Sequence, residues 1–307
     1  MLQVSKEYKI KVLAKLLEVR KNFDGTDSNF AKSYGIHNSV FSRLKANEID
    51  GLLKDAQWIH IGMKLNVSQD DREWYMARTE VFSMIEEDIL FCKQYSKSKM
   101  CISEAGIGKT FAGKYLAMTL KNVFYIDASQ AKTKQIFIQA LANAIGVESG
   151  KYHETKEKIK YYLKVLPKPL VIIDEAGDLQ YEAFLEIKEF WNATENHCGW
   201  YLMAADGLEA KMNRGIKNKK VGYREIFSRF SENFTNPVPN GVQDKLEFYT
   251  RLFTDVLRVN MKDKKNINEI VNKSLVKLDD GNSFAGLRRV ESLVILTQDY
   301  DEDTKHK

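Results

Sequence analysis

The chain has 307 residues, of which 44% are hydrophobic and 29% are charged, and its formal net charge is +5. This length predicts about two domains, and the composition is ordinary for a globular protein, which argues against a disordered chain. No apolar run approaches the ~18–20 residues of a membrane helix. The N-terminal residues lack a secretory signal, and the three cysteines fit neither a disulfide framework nor a metal site, so we expect a reducing cytoplasm.

Residues 1–66 predict a small helical domain. Apolar residues recur at helical spacing over residues 6–20. Two short helices joined at Gly35, where glycine adopts a positive φ at little cost, then predict a helix-turn-helix. The expected N-caps are Asp27 or Ser28 for the first helix and Asn38 or Ser39 for the second.

The second helix of a helix-turn-helix lies in the DNA major groove. Its outward side chains can hydrogen-bond bases or phosphates; they are His37, Asn38, Ser39, Ser42, Arg43 and Lys45. We therefore expect Asn38, Ser39 and Arg43 to contact duplex DNA. A small helical domain without a DNA role has the same spacing and stays open as an alternative.

After a connector over residues 66–78, strands and helices alternate. Thr79 can cap the first of these helices. The stretches that predict strands are "KMCIS", "NVFYIDAS", "PLVIIDEAGDL" and "GWYLMAAD". This alternation predicts an α/β core over residues 67–240, with a parallel sheet and helices on both faces. Helices from about residue 242 to 298 predict a small lid within residues 241–307, followed by an acidic solvated tail.

A phosphate-binding loop follows the first predicted strand. Residues 103–110 read "SEAGIGKT" and match G-x-x-x-x-G-K-[ST] except for Ser103, which is tolerable where the backbone angles are ordinary. Such a loop points backbone N–H groups and a helix N-terminus at a phosphate. We expect Lys109 to reach the β- and γ-phosphates of ATP and Thr110 to bind Mg²⁺. The predicted nucleotide-binding residues of this segment are Ser103, Glu104, Ala105, Gly106, Ile107, Gly108, Lys109, Thr110 and Phe111.

A second half of the site follows 65 residues after Lys109, at the carboxyl end of the most apolar predicted strand. Asp174 is placed to hold Mg²⁺, as a Walker B aspartate does. Glu175 could polarise the attacking water as a general base. Two acids that merely end a strand are the alternative, but two motifs in this order, both at strand ends, favour nucleotide hydrolysis.

The Asp-Glu pair followed by another strand resembles the AAA+ class of ATPases. The resemblance implies a sensor 1 residue at Ala205 or Asp206, where the class favours Asn or Thr, so Asp206 departs from the pattern. The "SRF" box implies that Arg229, or else Arg224, reaches the ATP of a neighbouring subunit. Near the C-terminus, "GLRR" implies sensor 2 at Arg288, with Arg289 adjacent.

The order of these parts along nearly the whole chain resembles the transposition ATPases of the phage Mu B type, whose relatives regulate Tn7-like elements. That resemblance implies an ATP-dependent filament on duplex DNA in the cytoplasm of a bacterial host cell. The filament would deliver target DNA to a transposase, activate it, and disassemble on hydrolysis. A replication helicase loader and an ATP-regulated helix-turn-helix transcription regulator are the alternatives.

Basic residues of the core are further candidates for DNA contacts. One set begins the helix after the second strand, where related DNA-binding ATPases carry axial contacts: Lys132, Thr133 and Lys134. The other set lies in "KMNRGIKNKKVGYR" and comprises Lys211, Arg214, Lys217, Lys219 and Lys220. Lysines that are simply solvated surface are the alternative for each residue.

Overall fold

The computed structural model describes residues 4–23, 25–65, 67–68, 74–147, 150–261, 263–277 and 284–305, with side chains to residue 297. The boundaries at residues 66 and 240 stay predictions, and parts of the connector lie outside the described residues. No helix in these ranges combines the length and the apolar composition needed to cross a membrane.

The N-terminal helices are α1 (Lys6–Asn22), α2 (Asp27–Ser33), α3 (Asn38–Lys45) and α4 (Asp55–Leu65). Their shared core contains Leu16, Phe30, Phe41, Leu44 and Trp58, all fully buried or nearly so. α2 and α3 are joined as expected by a turn in which Gly35 has a φ of +68°.

The N-caps of α2 and α3 each lie one residue before those we expected. Thr26 caps α2 by accepting from the Asn29 N–H, while the carboxylate of Asp27 is held by Arg20 and Lys45. His37 Nδ1 accepts from the Ser39 N–H at the start of α3. The expected caps, Asp27 or Ser28 for α2 and Asn38 or Ser39 for α3, were therefore wrong. These four residues lie within the first turns of the two helices.

The core is a five-stranded sheet with helices on both faces, as predicted. Its strands are β1 (Ser98–Ile102), β2 (Val123–Asp127), β3 (Leu170–Asp174), β4 (Gly199–Ala204) and β5 (Phe234–Thr235). All neighbours pair in parallel, in the order β2-β3-β4-β1-β5. The two-residue β5 was not predicted, since so short a strand carries no alternating pattern.

The helices of this region are α5 (Glu80–Tyr95), α6 (Lys109–Thr119), α7 (Lys134–Ile145), α8 (Tyr152–Val165), α9 (Tyr181–Ala193), α10 (Gly207–Lys217) and α11 (Tyr223–Arg229). Thr79 caps α5, as expected. An apolar layer covers each face of the sheet. Val171 and Ile173 of β3 pack in the layer with α7 and α9, while Leu170 and Ile172 pack in the layer with α5 and α6.

The C-terminal helices are α12 (Val242–Asn260), α13 (Ile267–Ser274) and α14 (Leu287–Lys305). Phe248, Tyr249 and Phe253 of α12 join the apolar layer that contains α5 and α6, which fixes the lid to the core. α14 continues to Lys305, beyond the helix end predicted near residue 298. No proline or glycine interrupts the sequence from 287 to 305, so nothing local ends the helix where a tail was expected.

Candidate nucleotide site

The phosphate-loop motif forms the turn between β1 and α6. Gly106 and Gly108 have φ values of +77° and +103°, which side chains with a Cβ rarely adopt. Ser103 is not among the residues with a positive φ, and its hydroxyl donates to Asn236 Oδ1 at 2.8 Å. The backbone therefore favours glycine at positions 106 and 108 and accommodates serine at position 103.

Lys109 begins α6 and is buried. Its ammonium group donates to the carbonyls of Ser103 (2.8 Å) and Glu104 (2.7 Å), which spans the loop. Burial lowers the pKa of this lysine, while Asp174, Glu175 and Asp206 act in the opposite direction. An ammonium has three donors, so one remains for a phosphate oxygen.

The acidic half of the site lies at the carboxyl end of β3. Asp174 is almost fully buried, and its two oxygens accept from the Tyr125 hydroxyl (2.8 Å) and the Glu175 N–H (3.0 Å). Glu175 is exposed and has a φ of +51°. Partial desolvation, and then the Asp174 carboxylate, raise the pKa of Glu175. Asp174 is thus fixed in place, whereas Glu175 is open to solvent and to a reactant.

Asp206 immediately precedes α10, close to the carboxyl end of β4. Its charge acts on Lys109 together with those of Asp174 and Glu175, so three acids at the ends of two neighbouring strands, β3 and β4, act on one lysine. The position expected for sensor 1 therefore lies within electrostatic reach of the phosphate loop. Its carboxylate adds negative charge there, where Asn or Thr would not.

The lid contacts the phosphate loop directly. Glu104 of the loop accepts hydrogen bonds from Lys245 (2.6 Å) and the Tyr249 hydroxyl (2.5 Å), both on α12. The Leu287 N–H at the start of α14 donates to the Gly106 carbonyl at 2.7 Å. The loop is therefore held from one side by the core and from the other by the lid.

Arg288 and Arg289, expected near sensor 2, lie in the first turn of α14 and therefore next to this contact. Arg288 is exposed, while the Arg289 Nε donates to the Lys273 carbonyl at 3.1 Å. The arrangement leaves Arg288, and not Arg289, as the more available cation of the pair.

The two arginines of the "SRF" region differ in their contacts. Arg229 donates to Asn192 Oδ1 and to the Glu225 carbonyl, both at 2.8 Å, and its guanidinium lies 5.2 Å from the ring centroid of Trp191. Arg224 is exposed and makes no hydrogen bond or ion pair with the described part of the chain. Arg224 is thus the better placed of the two to contact another molecule.

Two of the candidate DNA residues of the core contact the segment after Glu175. Lys132 pairs with Asp178 at 2.8 Å, and Lys211 donates to the carbonyls of Gly177 (3.0 Å) and Leu179. Thr133 caps α7. Lys134 lies 3.4 Å from Glu186. The exposed members of the second set are Arg214, Lys217, Lys219 and Lys220.

The candidate DNA residues of the predicted helix-turn-helix are on the exposed side of α3. Asn38 and Ser39 are exposed at its start, with Ser39 Oγ 2.8 Å from His37 Nδ1. Arg43 pairs with Glu48 at 2.7 Å. An ion pair at this exposure is weak, so it leaves Arg43 able to exchange partners.

Four residues of the site were not predicted from the sequence: Tyr125, Asn236, Lys245 and Tyr249. A tyrosine in the second strand and an asparagine after a two-residue strand carry no motif. Their roles depend on the order of strands in the sheet and on the position of the lid.

Residues 93–212 match the family model of an AAA domain (AAA_22). This segment runs from α5 to α10 and contains the phosphate loop, Asp174 and Asp206, so it coincides with the site described above. The sheet order and the covering helices agree with this similarity and with an AAA+ α/β fold for the segment. No curated protein matches the chain significantly.

Proposed function

We propose that the protein is an ATP-dependent DNA-binding protein of the AAA+ ATPase class that assembles on duplex DNA as a helical filament. The filament captures target DNA and activates a transposase, and ATP hydrolysis drives its disassembly. The observation that carries this proposal is that one chain combines a phosphate loop facing two Walker B acids with a pair of short helices of helix-turn-helix form. The transposase is proposed as the partner because the sequence resembles transposition ATPases.

The proposed hydrolysis uses residues whose geometry suits it. Lys109 directs its remaining donor to the γ-phosphate, and Glu175 accepts a proton from the attacking water. Thr110 and Asp174 offer the hydroxyl and carboxylate oxygens that Mg²⁺ prefers. When bound, Mg²⁺ neutralises charge on the β- and γ-phosphates. The described residues contain no cluster of three or more His, Cys, Asp or Glu placed to hold a metal ion, which suits an ion bound mainly by phosphates and water.

The remaining positive charge for catalysis comes from a neighbouring subunit in this proposal. The contacts favour Arg224 over Arg229, because Arg224 is free of partners in the described chain and Arg229 is not. An arginine supplied in this way stabilises the charge of the transition state. The ATP sites then lie between protomers, which couples hydrolysis to assembly.

DNA contacts come from two regions in the proposal. Asn38, Ser39 and Arg43 lie on the exposed side of α3, and two of the core cations, Lys132 and Lys211, contact the segment that follows Glu175. Each phosphate neutralised contributes about 0.9 to the slope of log K against log salt. A filament repeats these contacts once per protomer.

Electron microscopy of the protein with duplex DNA tests the proposal, with ATP, a slowly hydrolysed analogue, or no nucleotide. We expect filaments only with a triphosphate. Isolated monomers under every condition would contradict the proposal. Copurification with a hexameric helicase would favour a helicase loader, and binding confined to one operator sequence would favour a transcription regulator.

Two variants make the test specific. Lys109→Ala removes the phosphate contact and should abolish the filaments. Glu175→Gln spares nucleotide binding and removes the base, so its filaments should persist in ATP as the wild type does with the analogue. Filaments of Glu175→Gln that disassemble as fast as those of the wild type would contradict the assignment of the base.

A further inference from the structure

A pocket of about 330 Å³ lies between α10 and α11. Three of its lining side chains are cations, Lys211, Arg214 and Lys220, and no acidic residue lines it. Tyr223 and Asn218 complete the polar part of its wall. A concave site that collects positive charge in this way is suited to an anion.

The three cations keep hydrogen-bonding capacity for a ligand. Lys211 uses two of its three donors on the carbonyls of Gly177 and Leu179, which leaves one. Arg214 is exposed and forms no ion pair with the described residues. Lys220 lies 3.7 Å from the ring centroid of Tyr181 and forms no ion pair there either. Burial lowers the pKa of Lys211, and Lys220 lowers it further, while Asp178 opposes them.

Lys211 of the pocket is hydrogen-bonded to the segment that follows the proposed catalytic acids, Asp174 and Glu175. Gly177 and Leu179, which Lys211 holds, follow Glu175 by two and four residues. The Asp178 N–H donates to the Glu175 carbonyl at 2.9 Å. From the other side, Lys132 pairs with Asp178, and its carbonyl accepts from the Gln180 N–H. One residue from each set of candidate DNA residues in the core, Lys132 and Lys211, therefore contacts the same segment, residues 177–180.

We propose that this pocket binds a backbone phosphate of duplex DNA, and that Lys211 transmits its occupation to the segment that carries Glu175. The inference rests on the proposed function as an ATP-dependent DNA-binding protein. Arg214 supplies a planar fork for two phosphate oxygens, and Lys211 supplies its third donor. A phosphate that holds Lys211 also fixes Gly177 and Leu179. Occupation thereby orders the position of Glu175 and stimulates hydrolysis.

The experiment compares Lys211→Met, Arg214→Gln and the control Lys164→Gln. Lys164 is an exposed cation of α8 that does not line the pocket and is not among the candidate DNA contacts. Binding of a fluorescent random-sequence duplex is measured against salt, and ATPase rates are measured with and without that duplex. Arg214→Gln should lower the salt slope by about 0.9. It should also weaken DNA binding about tenfold, the loss expected for one charge-assisted hydrogen bond.

The ratio of ATPase rates with and without DNA measures whether occupation of the pocket stimulates hydrolysis. This ratio should fall toward one in Lys211→Met and Arg214→Gln at saturating DNA, and stay at the wild-type value in Lys164→Gln. Wild-type ratios in both pocket variants would overturn the inference, as would an equal loss in all three. Arg214 is exposed, so its variant is informative even if Lys211→Met does not fold.

Two further outcomes distinguish a failure of this inference from a failure of the proposed function. A wild-type protein that hydrolyses ATP and does not bind duplex DNA would overturn the proposed function itself. Inorganic phosphate at millimolar concentration is a second probe. Stimulation by inorganic phosphate and not by DNA would overturn the assignment of the ligand, whereas stimulation by DNA alone supports it.

Discussion

The Tyr125 hydroxyl donates a hydrogen bond to Asp174 Oδ2 at 2.8 Å. Tyr125 is on β2 and Asp174 ends β3, and the two strands pair in parallel with Asp127 opposite Asp174. Burial, and then the Asp174 charge, raise the pKa of Tyr125, so its hydroxyl keeps its proton at neutral pH. Tyr125 is therefore a positioning residue for the carboxylate expected to hold Mg²⁺.

Tyr125→Phe should weaken the use of Mg²⁺ by the enzyme. The variant keeps the ring and its packing but leaves Asp174 with one donor fewer, so the carboxylate is less well oriented. We expect the Mg²⁺ concentration for half-maximal ATPase activity to rise several-fold, about the effect of one hydrogen bond of ~1 kcal/mol. Titration of Mg²⁺ at fixed ATP measures this.

The matched control for that variant is Tyr115→Phe on α6, because Tyr115 stacks on Phe111 and no hydrogen bond of its hydroxyl occurs in the described structure. Its Mg²⁺ requirement should equal that of the wild type. A Tyr125→Phe enzyme with a lower melting temperature and an unchanged Mg²⁺ requirement would show that the tyrosine is merely structural.

The pH dependence of hydrolysis should reflect Glu175. A general base must be ionised, and desolvation together with Asp174 raises the pKa of this glutamate. Activity should therefore fall, as the pH is lowered, at a pH above the ordinary titration range of glutamate. The pH profile of kcat measures this, and Glu175→Gln should remove that acidic limb along with most of the activity. An acidic limb that persists at the same pH in the residual activity of Glu175→Gln would assign it to another group.

The close contact between the lid and the phosphate loop predicts that a single methyl group added at Gly286 weakens ATP binding. A Cβ on Gly286 would lie 2.7 Å from the Gly106 carbonyl oxygen and 2.8 Å from its Cα, both backbone atoms. Gly286→Ala should therefore push α14 from the loop, break the Leu287–Gly106 hydrogen bond and weaken ATP binding about tenfold or more. Titration with a fluorescent ATP analogue measures the loss.

Gly207→Ala is the control for this steric argument, because a Cβ there meets nothing within 4 Å. Its affinity for the analogue should equal that of the wild type. If both alanine variants bind the analogue equally well, the lid does not contribute to the nucleotide site through this contact.

These contacts show what the sequence could predict and what it could not. Lys109, Asp174 and the strands before them were predictable, because a glycine pattern and a buried strand end are local features. The α/β fold with a parallel sheet followed from the alternation of strands and helices, and is confirmed. The partnership of Tyr125 with Asp174, or of Glu104 with Tyr249, depends on which strands become neighbours and where the lid lies. Such contacts join residues up to 145 positions apart and have no signal in a single sequence.

The last prediction concerns the arginine that acts between subunits. Arg224→Ala should abolish the rise of specific ATPase activity with protein concentration, because that rise requires a guanidinium from a neighbour. Arg229→Ala removes contacts with Asn192, Trp191 and the Glu225 carbonyl, and should instead lower the melting temperature. Both effects are measurable on the same preparations.

Mixing two inactive variants gives the decisive comparison. Glu175→Gln lacks the base but still assembles with ATP and presents Arg224, whereas Arg224→Ala keeps the phosphate loop and the base and lacks the arginine. In mixed assemblies of these two variants some sites combine an intact base with an intact arginine, so activity should reappear on mixing. Recovery with Arg224→Ala and none in a mixture of Lys109→Ala with Glu175→Gln identifies a contribution in trans, because the last two residues act in the same site. If mixing restores nothing with Arg224→Ala and does restore activity with Arg229→Ala, the arginine that acts in trans is Arg229.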